Sequence, residues 1–450
     1  MTHADLSTSA ANVAPRLGVL HSVTGAPSDY DALLERIGSR RVVLIGEASH
    51  GTHEFYRERA RITRRLIDEH GFTAVAVEGD WPDAYRVNRY VMDLTDDPDA
   101  RSALGDFERF PAWMWRNRDV VDFVEWLRAR NAAHRDPATK ARFYGLDLYS
   151  LRASMEAVVR YLERIDPAEA VRARARYACF DHVAGEGQAY GYALAFQGAL
   201  PCENEVVTQL VELRRRAELY LRRDGWLAED EQFFAEQNAL VVRDAEEYYQ
   251  QMYRGSVRTW NLRDRHMAFT LDALIGHLDR QFGRTKVVVW EHNSHVGDAR
   301  ATSMGASGEL NVGQLARQRY GNDAFLIGLT TFDGEVTAAD DWGGEARRTR
   351  VRRALPHSYE ALLHDVGSPS FWIDTRTSDS QRLLNEPRLE RAIGVVYRPD
   401  TERQSHYFHA RLAAQFDVVL HVDHTSALEP LERTAEWTRG EPPETYPTGL

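Results

Sequence analysis

Four short runs of uninterrupted apolar residues punctuate the chain: RVVLIG (41–46), TAVAV (73–77), RFYGL (142–146) and KVVVW (286–290). None alternates apolar with polar, so each reads as a strand buried on both faces, as in a parallel sheet covered by helices. Each run ends on a carboxylate: Glu47, Glu78, Asp147 and Glu291. In open α/β sheets the ligand crevice lies beyond the carboxyl ends of the strands. Two of these ends also carry imidazoles, in G-E-A-S-H (Gly46 to His50) and E-H-N-S-H (Glu291 to His295).

Helical periodicity fills the spaces between the runs. Thr52 is placed as an N-cap and Gly71 as the residue that closes a helix after His70. The apolar stripe of that helix is Phe55, Ile62 and Leu66, and the member missing from its spacing is Arg59. An arginine on a core-facing stripe requires an acidic partner, for which Glu47 and Glu78 are the candidates. Further helices are predicted over 81–96 and 119–134, separated by a loop carrying Trp113 and Trp115. That aromatic pair reads either as core or as the apolar wall of a ligand pocket.

From about 151 to 280 the periodicity is helical throughout, with a break near Ala184–Gly191. Strands resume and continue with AFLIGLTTF (324–332), FWID (371–374), IGVVY (393–397) and FDVVLHVD (416–423). The expected fold class is α/β: a mostly parallel sheet core flanked by helices, with a helical insertion or subdomain mid-chain. The expected organisation is a lead-in over 1–35 and a first half of the catalytic core over 36–150. A helical insertion over 151–280 and a second core half over 281–433 follow, with a polar, frayed tail over 434–450.

Composition changes this picture little. The chain has 450 residues, 43% hydrophobic and 28% charged, as expected of a globular protein. A net charge of −12 argues against nucleic acid or an anionic membrane as a partner. Two cysteines, Cys179 and Cys202, do not make a disulfide framework, and neither sits at a metal-like spacing. With no signal-like start and no apolar run near the ~20 residues that span a bilayer, the expected location is cytoplasmic.

The histidines on the strand ends narrow the chemistry. An imidazole titrates near neutrality and suits general-base work, especially beside a carboxylate. His50 could therefore activate a water. Ser49 is a poor nucleophile candidate, because the G-x-S-x-G elbow is not matched. Glu47, His50, His292 and His295 could instead ligate a metal, although H-x-x-H after a strand is not the helical zinc motif. His53 falls in the first helical turn and reads as a cap.

At these residues the chain resembles the erythromycin esterase family. The resemblance is carried by VVLIGEASHGTHEFYRERARITRRLIDEHGFTAVAVEGDWPDAYRVNRYV (42–91), VVVWEHNSHVGDAR (287–300) and YRPDTERQSHYFHARLAAQFDVVLHVDHTSALEPL (397–431). It implies an α/β core with a helical portion and a cleft between them. It also implies ester hydrolysis, of a macrolide lactone in the best-known members, without a metal or other cofactor. By the same resemblance His50 is the base, Glu47 its paired acid, Arg59 the arginine, Glu78 the second acid, and His292 and His295 the later pair.

The reading is thus a carboxylic ester hydrolase acting on a small-molecule ester by general-base activation of water. His50 is the base and Glu47 orients it or the water; Arg59 and the later histidines stabilise the oxyanion or hold substrate; Glu78 positions Arg59 or shares the proton relay. A metal-dependent hydrolase built on the same Glu/His cluster and a non-catalytic small-molecule binding protein are the alternatives.

Overall fold

The computed structural model describes residues 13–181, 187–221 and 225–440. The strands are β1 (His21–Ser22), β2 (Val42–Ile45), β3 (Ala74–Asp80), β4 (Arg142–Asp147), β5 (Val287–Trp290) and β6 (Ala324–Ala338). They continue with β7 (Arg347–Val351), β8 (Ser370–Asp374), β9 (Arg388–Arg391), β10 (Tyr407–Ala410) and β11 (Val418–Thr425).

Among the described residues, nine strands form one sheet in the order β1-β8-β11-β6-β2-β5-β3-β4, with β7 paired to β6. From β11 to β4 every neighbouring pair is parallel. β8, β1 and β7 run antiparallel at its margins. The predicted strands β2, β5, β3 and β4 are thus consecutive in the sheet, with β4 its last strand, and end on the same edge. Val42, Val43, Leu44 and Ile45 have no exposed surface, as continuous apolar runs buried on both faces require.

The strand-to-helix turn after β2 depends on close approach. A Cβ on Gly46 would lie 2.1 Å from Asn293 Oδ1. Asn293 donates to the Leu329 carbonyl at 2.7 Å, and its backbone N–H donates to the Glu47 carbonyl at 2.8 Å. Gly46 thereby lets Asn293 tie the G-E-A-S-H turn to the E-H-N-S-H turn. The helix that follows runs His53–His70, capped at Thr52 and closed by Gly71 in the left-handed region (φ 69). Thr52 does not cap with its side chain; its hydroxyl pairs with Ser49. Phe55, Arg59, Ile62 and Leu66 are all fully buried along the predicted stripe.

Between Leu151 and Phe282 the described elements are helical, and residues such as Leu162, Tyr190, Leu213 and Val242 form a hydrophobic cluster of their own there. The long helix Ser256–Phe282 packs back along β4. Cys179 and Cys202 are bonded to each other within this stretch. Two cysteines make no framework, but they do make one bond, of a kind rare in reducing compartments. No helix among the described residues is long and apolar enough to cross a membrane.

Several expectations are corrected. IGVVY (393–397) is not a strand: only Ile393 and Val396 make isolated bridges, to Ser49 and Ala339. Its backbone is diverted to wall a cavity, as described below. The helix predicted over 81–96 stops at Val91, and Asp93 then turns the chain with a positive φ of 61. The polar strands β1, β7, β9 and β10 carry no apolar run and were not expected.

The tail expected to be frayed from Thr434 begins with the helix Ala435–Arg439, where Trp437 is buried and donates to Thr337 Oγ1 at 2.7 Å. Residues 441–450 lie outside the described residues, as do 182–186 of the predicted break. From Gly187 the chain is helical.

Gly46→Ala should destabilise the protein by about 1–3 kcal/mol through overpacking. The shift in the urea midpoint measures this, and Gly46→Ala combined with Asn293→Ala should recover part of it. A wild-type midpoint for Gly46→Ala would contradict the close approach.

Candidate functional site

The carboxyl edge of β2, β5, β3 and β4 faces a cavity of about 390 Å³. His50, Glu78, His292 and His295 line it. Glu47 and Arg59 do not; both are fully buried behind His50. The six residues singled out from the sequence therefore converge, in two shells rather than one.

Glu47 joins the shells. Its Oε1 lies 2.9 Å from His50 Nδ1, and its Oε2 lies 2.7 Å from Arg59 Nη2. The second contact is off the N–H axis, so it is an ion pair without a well-aligned hydrogen bond, and Arg59 has no hydrogen-bonded nitrogen. Instead its guanidinium lies over the rings of Tyr56, at 4.3 Å, and Trp290, at 5.2 Å. A guanidinium is weakly enough hydrated to sit between aromatic faces. Arg59 is thus the cation beside Glu47, and the other oxygen of Glu47 accepts the Nδ1 proton of His50. The Nε2 of His50 is left toward the cavity, 3.9 Å from Glu78 Oε1. The expectation that Arg59 contacts an oxyanion is corrected, because no part of it reaches the cavity.

Glu78 does not touch Arg59 either. Oε1 accepts from Arg263 Nη2 at 2.7 Å, and Oε2 accepts the backbone N–H of His292 at 2.8 Å. Burial pushes its carboxyl up, but the charges of His295, His50 and Arg263 outweigh that and hold it well below the usual carboxylate range.

His292 Nδ1 accepts the Ser294 backbone N–H at 3.2 Å, which leaves the proton of the neutral ring on Nε2. That Nε2 is buried with no hydrogen-bond partner. Burial, with the neighbouring His50, pushes the ring down to about 3, so His292 stays neutral. The rings of His50 and His292 are 4.9 Å apart.

His295 is fixed from the other side. Its Nδ1 lies 2.9 Å from Asp264 Oδ1, and Trp260 stacks on the ring at 4.5 Å. Burial lowers its pKa, but Asp264 and Glu78 raise it further, for a net upward shift. Its Nε2 lies 3.0 Å from Arg263 Nη1 and 3.5 Å from Glu78 Oε1, so the ring is set between two carboxylates and a guanidinium.

Arg263 and Asp264 were missed by the sequence reading. Arg263 donates to Asp147 Oδ2 (2.6 Å), Glu78 and His295, linking three strand ends. The signal was present: Met267 and Leu271 are buried along one helix face, and that spacing extended back one turn reaches Arg263 and Asp264, and a second turn Trp260. Of the loop tryptophans, Trp115 walls the cavity and donates to the Glu78 carbonyl at 3.0 Å, whereas Trp113 is buried outside it. His53 pairs with Asp119 at 2.8 Å, away from the cavity. Glu291 is fully buried beneath the site with both oxygens unpartnered, and burial keeps it protonated. No group of three or more His, Cys, Asp or Glu among the described residues is arranged to hold a metal ion.

An imidazole seated on a buried carboxylate, at the carboxyl edge of a mostly parallel sheet, is the equipment of a hydrolytic enzyme. The chain belongs to the erythromycin esterase family, whose model matches residues 67–425, beginning after the turn that carries Glu47 and His50. The erythromycin esterase type II of Escherichia coli is 23% identical over 430 residues, 89% of this chain and 93% of that protein. The putative hydrolase YbfO of Bacillus subtilis is 19% identical over 422 residues, 90% and 88% of the two chains.

Among solved structures, a succinoglycan biosynthesis protein superposes with a TM-score of 0.73 at 21% identity, over 95% of this chain and all of the other. A mutant of the erythromycin esterase EreC in its open conformation gives 0.66 at 17% identity, over 91% and 96%. These likenesses establish a shared fold.

Two outcomes test the geometry. Removing one partner of the buried pair, by Arg59→Met or Glu47→Gln, should cost about 3–5 kcal/mol, and the double variant should cost less than the two singles together. Additive losses in denaturant titrations would mean the ion pair is not formed.

The second outcome concerns pH. His292 is neutral down to about pH 3 when folded and titrates near its ordinary value of about 6.5 when unfolded. The unfolded chain therefore binds the extra proton, and stability should fall as pH drops from about 6.5 toward 3. His292→Gln should flatten that slope; an unchanged slope would place His292 outside the acid transition.

Proposed function

We propose that this esterase-family enzyme cleaves carboxylic esters by general-base attack of water, with His50 as the base. The observation that carries the reading is the orientation of one ring: His50 Nδ1 is held by Glu47, and its Nε2 is left facing the cavity. The Glu47 carboxylate fixes the tautomer and stabilises the imidazolium formed when Nε2 takes a proton from water. Glu78, ionised and 3.9 Å from that nitrogen, is placed to orient the attacking water.

The water oxygen bonds to the ester carbonyl carbon and the carbonyl electrons move onto oxygen. His292, which lines the cavity with its ring 4.9 Å from that of His50, is placed to donate to that oxyanion. Collapse of the tetrahedral species expels the alkoxide, which recovers the proton from His50. Arg263 positions Glu78, Asp147 and His295, and Arg59 acts on the reaction only through Glu47.

General-base catalysis contributes roughly 10²–10⁴-fold, and one oxyanion donor roughly 10²–10³-fold. A cavity of about 390 Å³ suits a small-molecule substrate. The name of the Escherichia coli relative makes macrocyclic lactones a natural part of the substrate panel.

His50→Ala should abolish ester turnover while leaving the circular dichroism spectrum and unfolding midpoint near those of the wild type. His292→Gln should lower kcat by roughly 10²-fold with a smaller effect on KM. Both are assayed on activated esters and macrocyclic lactones, with and without chelator. Near wild-type turnover by His50→Ala would sink the assignment, and loss of activity to chelator with recovery on adding metal would replace it with a metal-dependent one.

A further inference from the structure

The cavity has a second group of acids that the hydrolytic chemistry does not use. Asp80 ends β3 and occupies the N-cap position of the helix Trp81–Val91, and Asp83 lies in that helix's first turn. Aspartates at these positions ordinarily accept hydrogen bonds from the helix's free N–H groups. Here Asp80 makes no side-chain cap hydrogen bond. Both residues instead line the cavity, at 4% and 6% exposure.

Asp80 Oδ2 accepts from Arg109 Nε at 3.0 Å, but its Oδ1 is buried without a partner. Asp83 has neither a hydrogen bond nor an ion pair, and none of its neighbours among the described residues supplies one.

A charge count explains why this is unusual. The carboxyls lining the cavity are Glu78, Asp80, Asp83 and Asp147, and the guanidiniums are Arg109 and Arg263. Arg263 serves Glu78 and Asp147. Arg109 serves Asp80 and lies over Tyr149 at 4.8 Å. Asp83 is left over. A buried carboxylate without a partner is costly, so the group either keeps its proton or acquires a cation. With no cation beside it the group keeps its proton: burial, then the charges of Asp80 and Asp106, push Asp83 up to about 9 even though Arg109 opposes them. Phe107 and Trp115 wall the same region and offer apolar and aromatic surface to the carbon atoms around a cation.

We infer that Asp83 and the free oxygen of Asp80 form a subsite for a protonated aliphatic amine on the substrate, within the cavity that holds His50. The inference rests on the esterase reading for its substrate but not for its binding chemistry. On docking, an ammonium donates to the two carboxylates as the proton held by Asp83 leaves to solvent.

The test compares a chain-length series of p-nitrophenyl ω-aminoalkanoates with the matching esters in which methyl replaces ammonium, and with the ω-hydroxy esters. The corresponding hydrolysis-inert amides are titrated calorimetrically in parallel. For at least one chain length the amine should be preferred by about tenfold or more in kcat/KM and in Kd, the scale of a charge-assisted hydrogen bond. Asp83→Asn, close to isosteric, should bring that ratio toward unity, and Asp80→Asn should lower it.

A ratio near one in the wild type, or one unchanged by both variants, overturns the subsite. Equal preference for the hydroxy compound overturns the charge recognition, because a neutral carboxyl would then be donating or accepting alone. Amine-selective binding without turnover of any ester would sink the esterase reading and leave the subsite standing. Turnover without selectivity would do the reverse.

Discussion

One carboxylate organises this molecule. Glu47 has no exposed surface, so its charge is tolerable only if it is matched on the spot. Arg59 matches it from a helix whose apolar stripe would otherwise be unbroken, and His50 takes the remaining oxygen. The three residues come from one strand end, the following turn and the second turn of the next helix. Breaking the ion pair therefore removes at once the anchor of the imidazole and the neutrality of the helix–sheet interface. The stacking of Tyr56 and Trp290 on Arg59 extends the constraint to β5, so that two adjacent strands share one buried cation.

A second cation performs the parallel task in the next part of the edge. Arg263 meets carboxylates from β3 and β4 and a ring from the turn after β5. It is supplied by a helix remote in sequence, and side-chain exposure of 14% leaves it at the cavity rather than behind it. The difference matters chemically. Arg59 can influence a reaction only by way of Glu47, whereas Arg263 sets the local potential in which substrate and Glu78 meet. Together they divide the edge into a sealed positioning layer and a wet working layer.

The parts of this arrangement legible in the sequence are those in which a local pattern has a single physical explanation. Four uninterrupted apolar runs, each ending on an acid, read as buried strands of one sheet, and they lie side by side in it. Arg59 interrupts a stripe, and a buried guanidinium implies a buried acid. Arg263 and Asp264 obey the same logic but follow a helical stretch with no strand beside it, so nothing local said which acids they would meet. IGVVY misled because an apolar run also suits an irregular segment pinned by two bridges, and Gly394 and Val395 serve there as cavity wall. The strands β7 and β9 are polar because their faces are partly exposed, and β10 is a four-residue YFHA broken by a histidine, so none carries the uninterrupted run that revealed the buried strands.

These two degrees of legibility map onto two functions. The strand ends that carry His50, Glu78, His292 and His295 are tied together by hydrogen bonds, the kind of support that the proposed proton transfer requires. The rest of the cavity is walled by Trp115, Trp342, Met304 and Val395, from loops and short turns, and by Asp83 from a helix start. These residues belong to segments outside the sheet, although Trp115 also packs into the core beside β3. Asp83 shows the consequence most plainly. A buried acid with no internal partner contributes nothing to folding and costs stability as pH rises from its unfolded value of about 4 toward 9, because only the unfolded chain then ionises freely. Its placement is therefore better explained by what the cavity receives than by what the fold requires.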